Sequence, residues 1–276
     1  MRDPDTENDH MDDDEDGEDL PELDIEELTE ATGADQTGPG HQIVIEERTI
    51  PSLADVVALA NKAHRPVSFE RCVVERVRLH ASSVDMSFED SLFTENVNFD
   101  GAVFTGKLDF WDTCFEQAAA CGATTFKEEV SFEECFFRTR VNFSRAVFEK
   151  RVTFTACDFE GDVTFDNTTF AGGVDFGASI FRAKISCRNA HFEKRVDLTN
   201  TTFEQAPDIT GSNLEEAQEA EEPDQERPKE PHRKKPRKWA EFNPWRELDE
   251  ASKKTMSRRH LLRGIFRFLP SDKEEE

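Results

Sequence analysis

The 276-residue chain has no tyrosine at all. It is poor in the residue patterns that carry catalysis: no nucleotide loop, no Ser/His/Asp arrangement and no paired catalytic carboxylates can be recognised. Its seven histidines are scattered from His10 to His260. Cysteine is sparse, six residues with no C-x-x-C and no Cys/His pair at zinc spacing. No enzyme, cofactor or metal site is expected. Basic charge is also short, 34 Lys and Arg against 60 Asp and Glu, a net charge of -26.

What the chain does contain is phenylalanine in step. The stretch "VNFSRAVFEKRVTF", Val141 to Phe154, returns to Phe after five residues and then after six. Counting five and six alternately from Phe88 lands on an apolar residue at every slot as far as Leu214, and 19 of the 24 Phe occupy these slots. Two residues before each slot stands a second regular position. It alternates between an aliphatic (Val97, Leu108, Val130, Val141, Val152) and a small residue (Ala102, Thr113, Thr124, Cys135, Ala146). The unit V-x-F-x-x-A/T/C/S-x-F-x-x-x is eleven residues long and recurs about twelve times. An eleven-residue period also fits a right-handed helical supercoil. Val, Thr and Phe at the paired i-2 and i positions favour strand instead. Gly101, Gly106, Gly161, Gly172, Gly173 and Gly177 fall between slots, where corners would need them. Upstream, Phe69, Val74, Leu79 and Val84 keep a strict step of five, and a four-residue step to Phe88 joins the two registers.

Five-residue units with a large apolar centre and a small residue two before it resemble the pentapeptide-repeat family, and the Phe-rich five/six form is similar to its degenerate branch. The resemblance covers residues 67–214. It implies an all-β fold, a right-handed quadrilateral β-helix with centre and i-2 residues inward. At about 22 residues per coil and about 4.8 Å per rung, roughly seven coils are expected. A narrow stacked core explains the missing tyrosine, since an unpaired buried hydroxyl costs about 1–3 kcal/mol. Cys121 and Cys187 fall on centre slots and Cys72, Cys135 and Cys157 on i-2 slots, so five of the six cysteines read as interior packing. Reduced thiols in a chain without a signal peptide point to the cytoplasm.

Composition divides the chain further. Residues 1–40 carry 17 acidic and one basic side chain and read as a disordered acidic tail. Residues 41–66 read as a strand, "HQIVIEERTI", and a helix, "SLADVVALANKAHR", with Ser52 as N-cap, Asp55 at capping-box distance and Val56, Val57, Leu59 and Ala60 on the apolar side. A solenoid needs such a cover for its first coil. Residues 215–238 read as a charged Pro-rich linker. In residues 239–276, Leu261, Leu262, Ile265, Phe266 and Leu269 form an apolar stripe, with Arg259, Arg263 and Arg267 at i, i+4 and i+8. This is a basic amphipathic segment, too short to span a bilayer. It suits an anionic membrane surface at the inner face of the membrane, a partner's groove or the end of the solenoid itself.

Inward positions are committed to packing, so function belongs to outward ones. In every second unit, the residue before the centre is Leu92, Cys114, Phe136, Asp158, Ile180 and Thr202. Four of these six are apolar, and Trp111 lies three residues from Cys114. Leu92, Trp111, Cys114, Phe136 and Ile180 are therefore the candidate surface for a protein partner or a homodimer. The expected role is a non-enzymatic interaction scaffold. The alternative is a DNA-mimicking modulator of a type II topoisomerase such as gyrase, because some members of the family resemble DNA in shape and charge. Arg138, Arg140, Arg145, Lys150 and Arg151 interrupt the rows of negative charge that mimicry needs. Direct binding of nucleic acid is not expected from so acidic a chain.

Overall fold

The computed structural model describes residues 20–24 and 42–219. Within them, short parallel strands stack in register into four ladders, the walls of a β-solenoid of about seven turns. Face 1 has eight rungs, from Ile43–Glu46 and Val67–Glu70 to Val196–Asp197. Face 2 runs from Thr49–Ser52 through Leu92–Phe93, Cys114–Phe115 and Phe136–Phe137 to Thr202–Phe203. Face 3 carries Val97–Asn98 to Ile185–Ser186, and face 4 carries Ala81–Ser82 to His191–Phe192.

The register follows the count of slots. Phe69 pairs with Phe88 across 19 residues, the sum of three five-residue steps and the four-residue step. From there each rung lies 22 residues above the last, as Phe88, Phe110, Phe132 and Phe154 show. The rings stack face to face, 4.6–5.4 Å between centroids from Phe69 to Phe176 on face 1, and 4.6–5.2 Å from Phe93 to Phe203 on face 2. Rings of different faces meet at tilted or edge-on angles, as Phe143 does against Phe148 on the neighbouring face and against Phe154 across the core. Each buried Phe contributes about 1.5–3 kcal/mol through removal from water, and each aromatic pair about 0.5–1.5 kcal/mol more.

The small i-2 residues do more than make room. Thr113, Thr124, Cys135, Cys157, Thr168, Ser179 and Thr201 each donate from their hydroxyl or thiol to the carbonyl 25 residues earlier, as Thr168 Oγ1 does to Phe143 O at 2.7 Å. A hydroxyl is accepted at this position because the preceding coil supplies its partner.

Two kinds of corner explain the alternating five and six. At the five-residue steps, between faces 1 and 2 and between faces 3 and 4, the residue before the small one adopts a left-handed backbone. Asp90, Asp112, Glu134, Ala156, Ala178 and Asn200 do so at the first corner, and Ala123, Arg145, Asn167 and Asn189 with Gly101 and Gly211 at the second. At the six-residue steps the extra residue makes the turn. The expectation that glycines supply corner dihedrals thus holds at Gly101 but not at Gly106, Gly161 or Gly172. Those three lie at six-residue corners, where a Cβ would sit 2.1–2.3 Å from the backbone of Val84, Thr139 or Lys150 in the coil below.

At the ends the structure redraws the expected boundaries. The expected strand over "HQIVIEERTI" is two strands, Ile43–Glu46 and Thr49–Ser52, broken at left-handed Glu47. Both are rungs of the solenoid, pairing with Val67–Glu70 and Val73–Arg78. Helix Leu53–Ala63 follows and buries Leu53, Val56, Val57 and Ala60 in the core, with Leu59 only half-buried. Ser52 holds the N-cap position with extended dihedrals but makes no side-chain capping bond. At the other end, Leu214 opens a helix, Leu214–Glu219, rather than a last strand. Leu214 and Ala217, one helical turn apart, are buried against the top rungs of faces 1 and 4, so the segment expected to begin a linker starts as packed helix.

Candidate outer surface at the edge of faces 1 and 2

Outward polar side chains bond both within a coil and between coils. Asn98, Asn142, Asp175, Asp197 and Asp208, members of the polar row before the aliphatic-paired centres, accept the backbone N–H two residues on. Asp100, Asp162 and Asp166 instead accept an N–H from the next coil, 22 residues later. Asp166 also receives the Arg188 guanidinium at 2.7 Å. Burial raises its pKa, but bonds from Arg188 and Ser186 outweigh that and leave the carboxyl below the usual carboxylate range.

The residues singled out in the sequence come together. Leu92, Cys114, Phe136, Asp158, Ile180 and Thr202 pair rung upon rung along face 2. Trp111 ends the face 1 strand Leu108–Trp111, in register with Glu89 below and Glu133 above. Leu92, Trp111, Cys114 and Phe136 stand outside the core cluster and are nevertheless buried. Leu92 is 1 % exposed, Cys114 and Phe136 6 % and Trp111 8 %, while Ile180 is half-buried. Part of the reason is visible. Val73 extends the row downward, the Arg138 guanidinium lies 5.8 Å from the Phe136 ring centre, and Asp158 is gripped by Arg182 at 2.8 and 2.6 Å.

Around this apolar strip runs a rim of carboxylates that sequence reading missed. Asp90, Asp112 and Glu134 occupy successive left-handed corners between faces 1 and 2, with Glu89 and Glu133 beside Trp111. Asp112 is only 1 % exposed. The available signal was positional: each corner acid immediately precedes a small inward residue, Ser91, Thr113 or Cys135.

All six cysteines are free and buried, five of them inward; burial raises the thiol of Cys72 to about 11 and those of Cys114 and Cys187 to about 12, and it pushes Cys121 and Cys135 upward as well. Among the described residues no helix is long and apolar enough to cross a membrane, and no group of three or more His, Cys, Asp or Glu could hold a metal. The basic amphipathic stretch with Arg259, Leu261, Leu262, Arg263, Ile265, Phe266, Arg267 and Leu269 lies outside the described residues.

The family model for pentapeptide repeats, nine copies, matches residues 154–202. No curated protein matches the chain.

Proposed function

Taking as premise that residues 154–202 are pentapeptide repeats, we propose that the solenoid is a non-enzymatic scaffold for a protein partner, engaged at the edge of faces 1 and 2. One observation carries this reading. Large apolar side chains on the outer wall concentrate in a single strip, Leu92, Trp111, Cys114 and Phe136, bordered by carboxylates. The equivalent row on face 4, Val103, Thr125, Val147 and Thr169, is small and β-branched. A broad aromatic centre with a charged border is the anatomy of a contact surface. Its chemistry selects an amphipathic segment with basic flanks.

Topoisomerase mimicry is less favoured by the same surface. Arg151, Arg182 and Arg188 pair with Asp175, Asp158 and Asp166 and interrupt the negative rows.

Affinity capture with the full chain and with a Glu133→Lys/Glu134→Lys variant tests the proposal. Partners should be lost on rim reversal and kept on a Val103→Lys change on face 4. Identical capture by all three chains sinks it. Gyrase inhibition that survives deletion of residues 1–19 would establish mimicry in its place.

A further inference from the structure

Three of the six-residue corners share a bond that a fourth lacks. In each of the three, the N–H of the residue just before the next strand is accepted by an Asp or Asn side chain at the same place one coil below. Asp85 Oδ1 accepts from Lys107 N at 2.8 Å, Asn96 Oδ1 from Ala118 N at 3.2 Å and Asp162 Oδ1 from Lys184 N at 3.1 Å. Arg195, just before the strand Val196–Asp197, holds the equivalent place above Gly173, since Val174 pairs with Val196. Gly173 has no side chain to offer. Among the described residues the N–H of half-buried Arg195 meets no acceptor. An amide left in that state is unfavourable, so the place is ready for an oxygen atom from outside the chain.

Cations stand around the gap. The corner between faces 4 and 1 reads Glu149-Lys150-Arg151 in one coil, Ala171-Gly172-Gly173 in the next and Glu193-Lys194-Arg195 above. The middle rung is bare, and a Cβ on Gly172 would lie 2.1 Å from the Lys150 carbonyl carbon, so this rung is held to glycine. Lys150 and Lys194 flank it from below and above, roughly 10 Å apart at about 4.8 Å per rung. Both are exposed, and among the described residues neither has an ion-pair partner, whereas Arg151 is engaged by Asp175 at 3.1 Å. Lower on the same edge the charge closes on itself, with Lys107 Nζ meeting Glu129 at 2.7 Å.

We propose that this gap binds a single phosphate group, with one oxygen accepting the Arg195 N–H and others accepting from the ammonium groups of Lys150 and Lys194. The site lies on a different edge from the apolar strip and does not depend on the scaffold reading. A tetrahedral dianion suits it better than a planar carboxylate, because its oxygens point toward a backbone donor and two lysines at once. Glu149 and Glu193, exposed on the face 4 side of the same corners, limit the positive field, which favours one group over a long polyanion.

Backbone NMR of the isotope-labelled full-length protein tests the site. Titration with inorganic phosphate, against chloride at equal ionic strength, should shift the Arg195 amide saturably, with a Kd in the millimolar range or tighter. The Lys184 amide, already capped by Asp162, should stay still. Lys150→Gln/Lys194→Gln should weaken binding about tenfold or more. Gly173→Asp should supply the missing carboxylate as Asp85 does for Lys107, abolish the phosphate response and raise the melting temperature slightly. Gly173 lies outside the left-handed region, so a side chain is tolerated there. O-phosphoserine as a second probe separates the sources: binding tighter than that of inorganic phosphate assigns a phosphate monoester, and weaker binding assigns the free ion. An Arg195 amide unmoved by both probes overturns the proposal. So does a shift that Gly173→Asp leaves intact, or one matched at Lys184, which would mark diffuse screening of charge. If Gly173→Asp does not fold, the lysine pair decides, and wild-type affinity in that variant overturns the proposal.

Discussion

Faces 2 and 4 are built from the same unit, in the same parallel register, with the outward residue at the same place before each Phe. On face 4 that residue is Val103, Thr125, Val147 or Thr169, small enough that the wall stays flat and open. On face 2 it is Leu92, Cys114 or Phe136, joined at the corner by Trp111, and it is buried. The inward residues of both faces are alike, Phe on Phe at stacking distance. Repetition therefore gives both walls the same stacked core, and the two differ in what they present outward.

That contrast can be broken from the inside. Phe154 touches rings above and below on its own face, Phe159 on the neighbouring face 2, and Phe143 and Phe165 on face 3 across the core. Phe154→Ala should cost about 3–5 kcal/mol in denaturant unfolding, and a melt unchanged from wild type would refute the stacked core. On the outer walls the twin positions should diverge. Phe136→Ala should cost about 2 kcal/mol, and Val147→Ala less than about 0.5 kcal/mol. Equal losses would mean that faces 2 and 4 are equivalent after all. Thr168→Val leaves the Phe143 carbonyl without its hydroxyl donor and should cost about 1 kcal/mol. A neutral result would show that the small slot selects for volume alone.

Corners offer changes in the opposite direction. Ala156 holds φ at +55°, and Ala156→Gly should stabilise by about 0.5 kcal/mol as relief of the left-handed backbone exceeds the added unfolded-state entropy. The smallest effect belongs to the surface pair of Asp166 and Arg188. Because Asp166 has a folded pKa below its unfolded value, its contribution is present above the unfolded carboxylate pKa and is lost as pH falls through the folded one. Arg188→Ala should lower the melting temperature slightly at pH 7, and the difference should shrink as the pH falls through the folded pKa of Asp166. A difference that persisted below that pKa would assign Arg188 a packing role.

Much of this architecture was readable from the chain. The slots at Phe88, Phe93, Phe99 and Phe104 became four walls, and the four-residue step at Val84 became the short 19-residue turn. The left-handed corners were not readable at Glu134 or Ala156, because neither residue type announces a positive φ, although Asp90, Asp112, Asn167, Asn189 and Asn200 do carry that preference. Nor could the packed helix Leu214–Glu219 be told from a charged linker. Its two buried residues, Leu214 and Ala217, acquire a partner only where the last rung ends.

The sequence by itself determined the coil. An inward-pointing period of five and six is a one-dimensional property, and stacking identical units buries every Phe whatever the exterior does. Tertiary structure alone decided how deeply that row of outward residues is buried and which acids stand beside it. Leu92, Cys114 and Phe136 stand 22 residues apart in the chain and one rung apart in space. Only the closed turn brings Trp111 and the carboxylates of the next wall around the same corner.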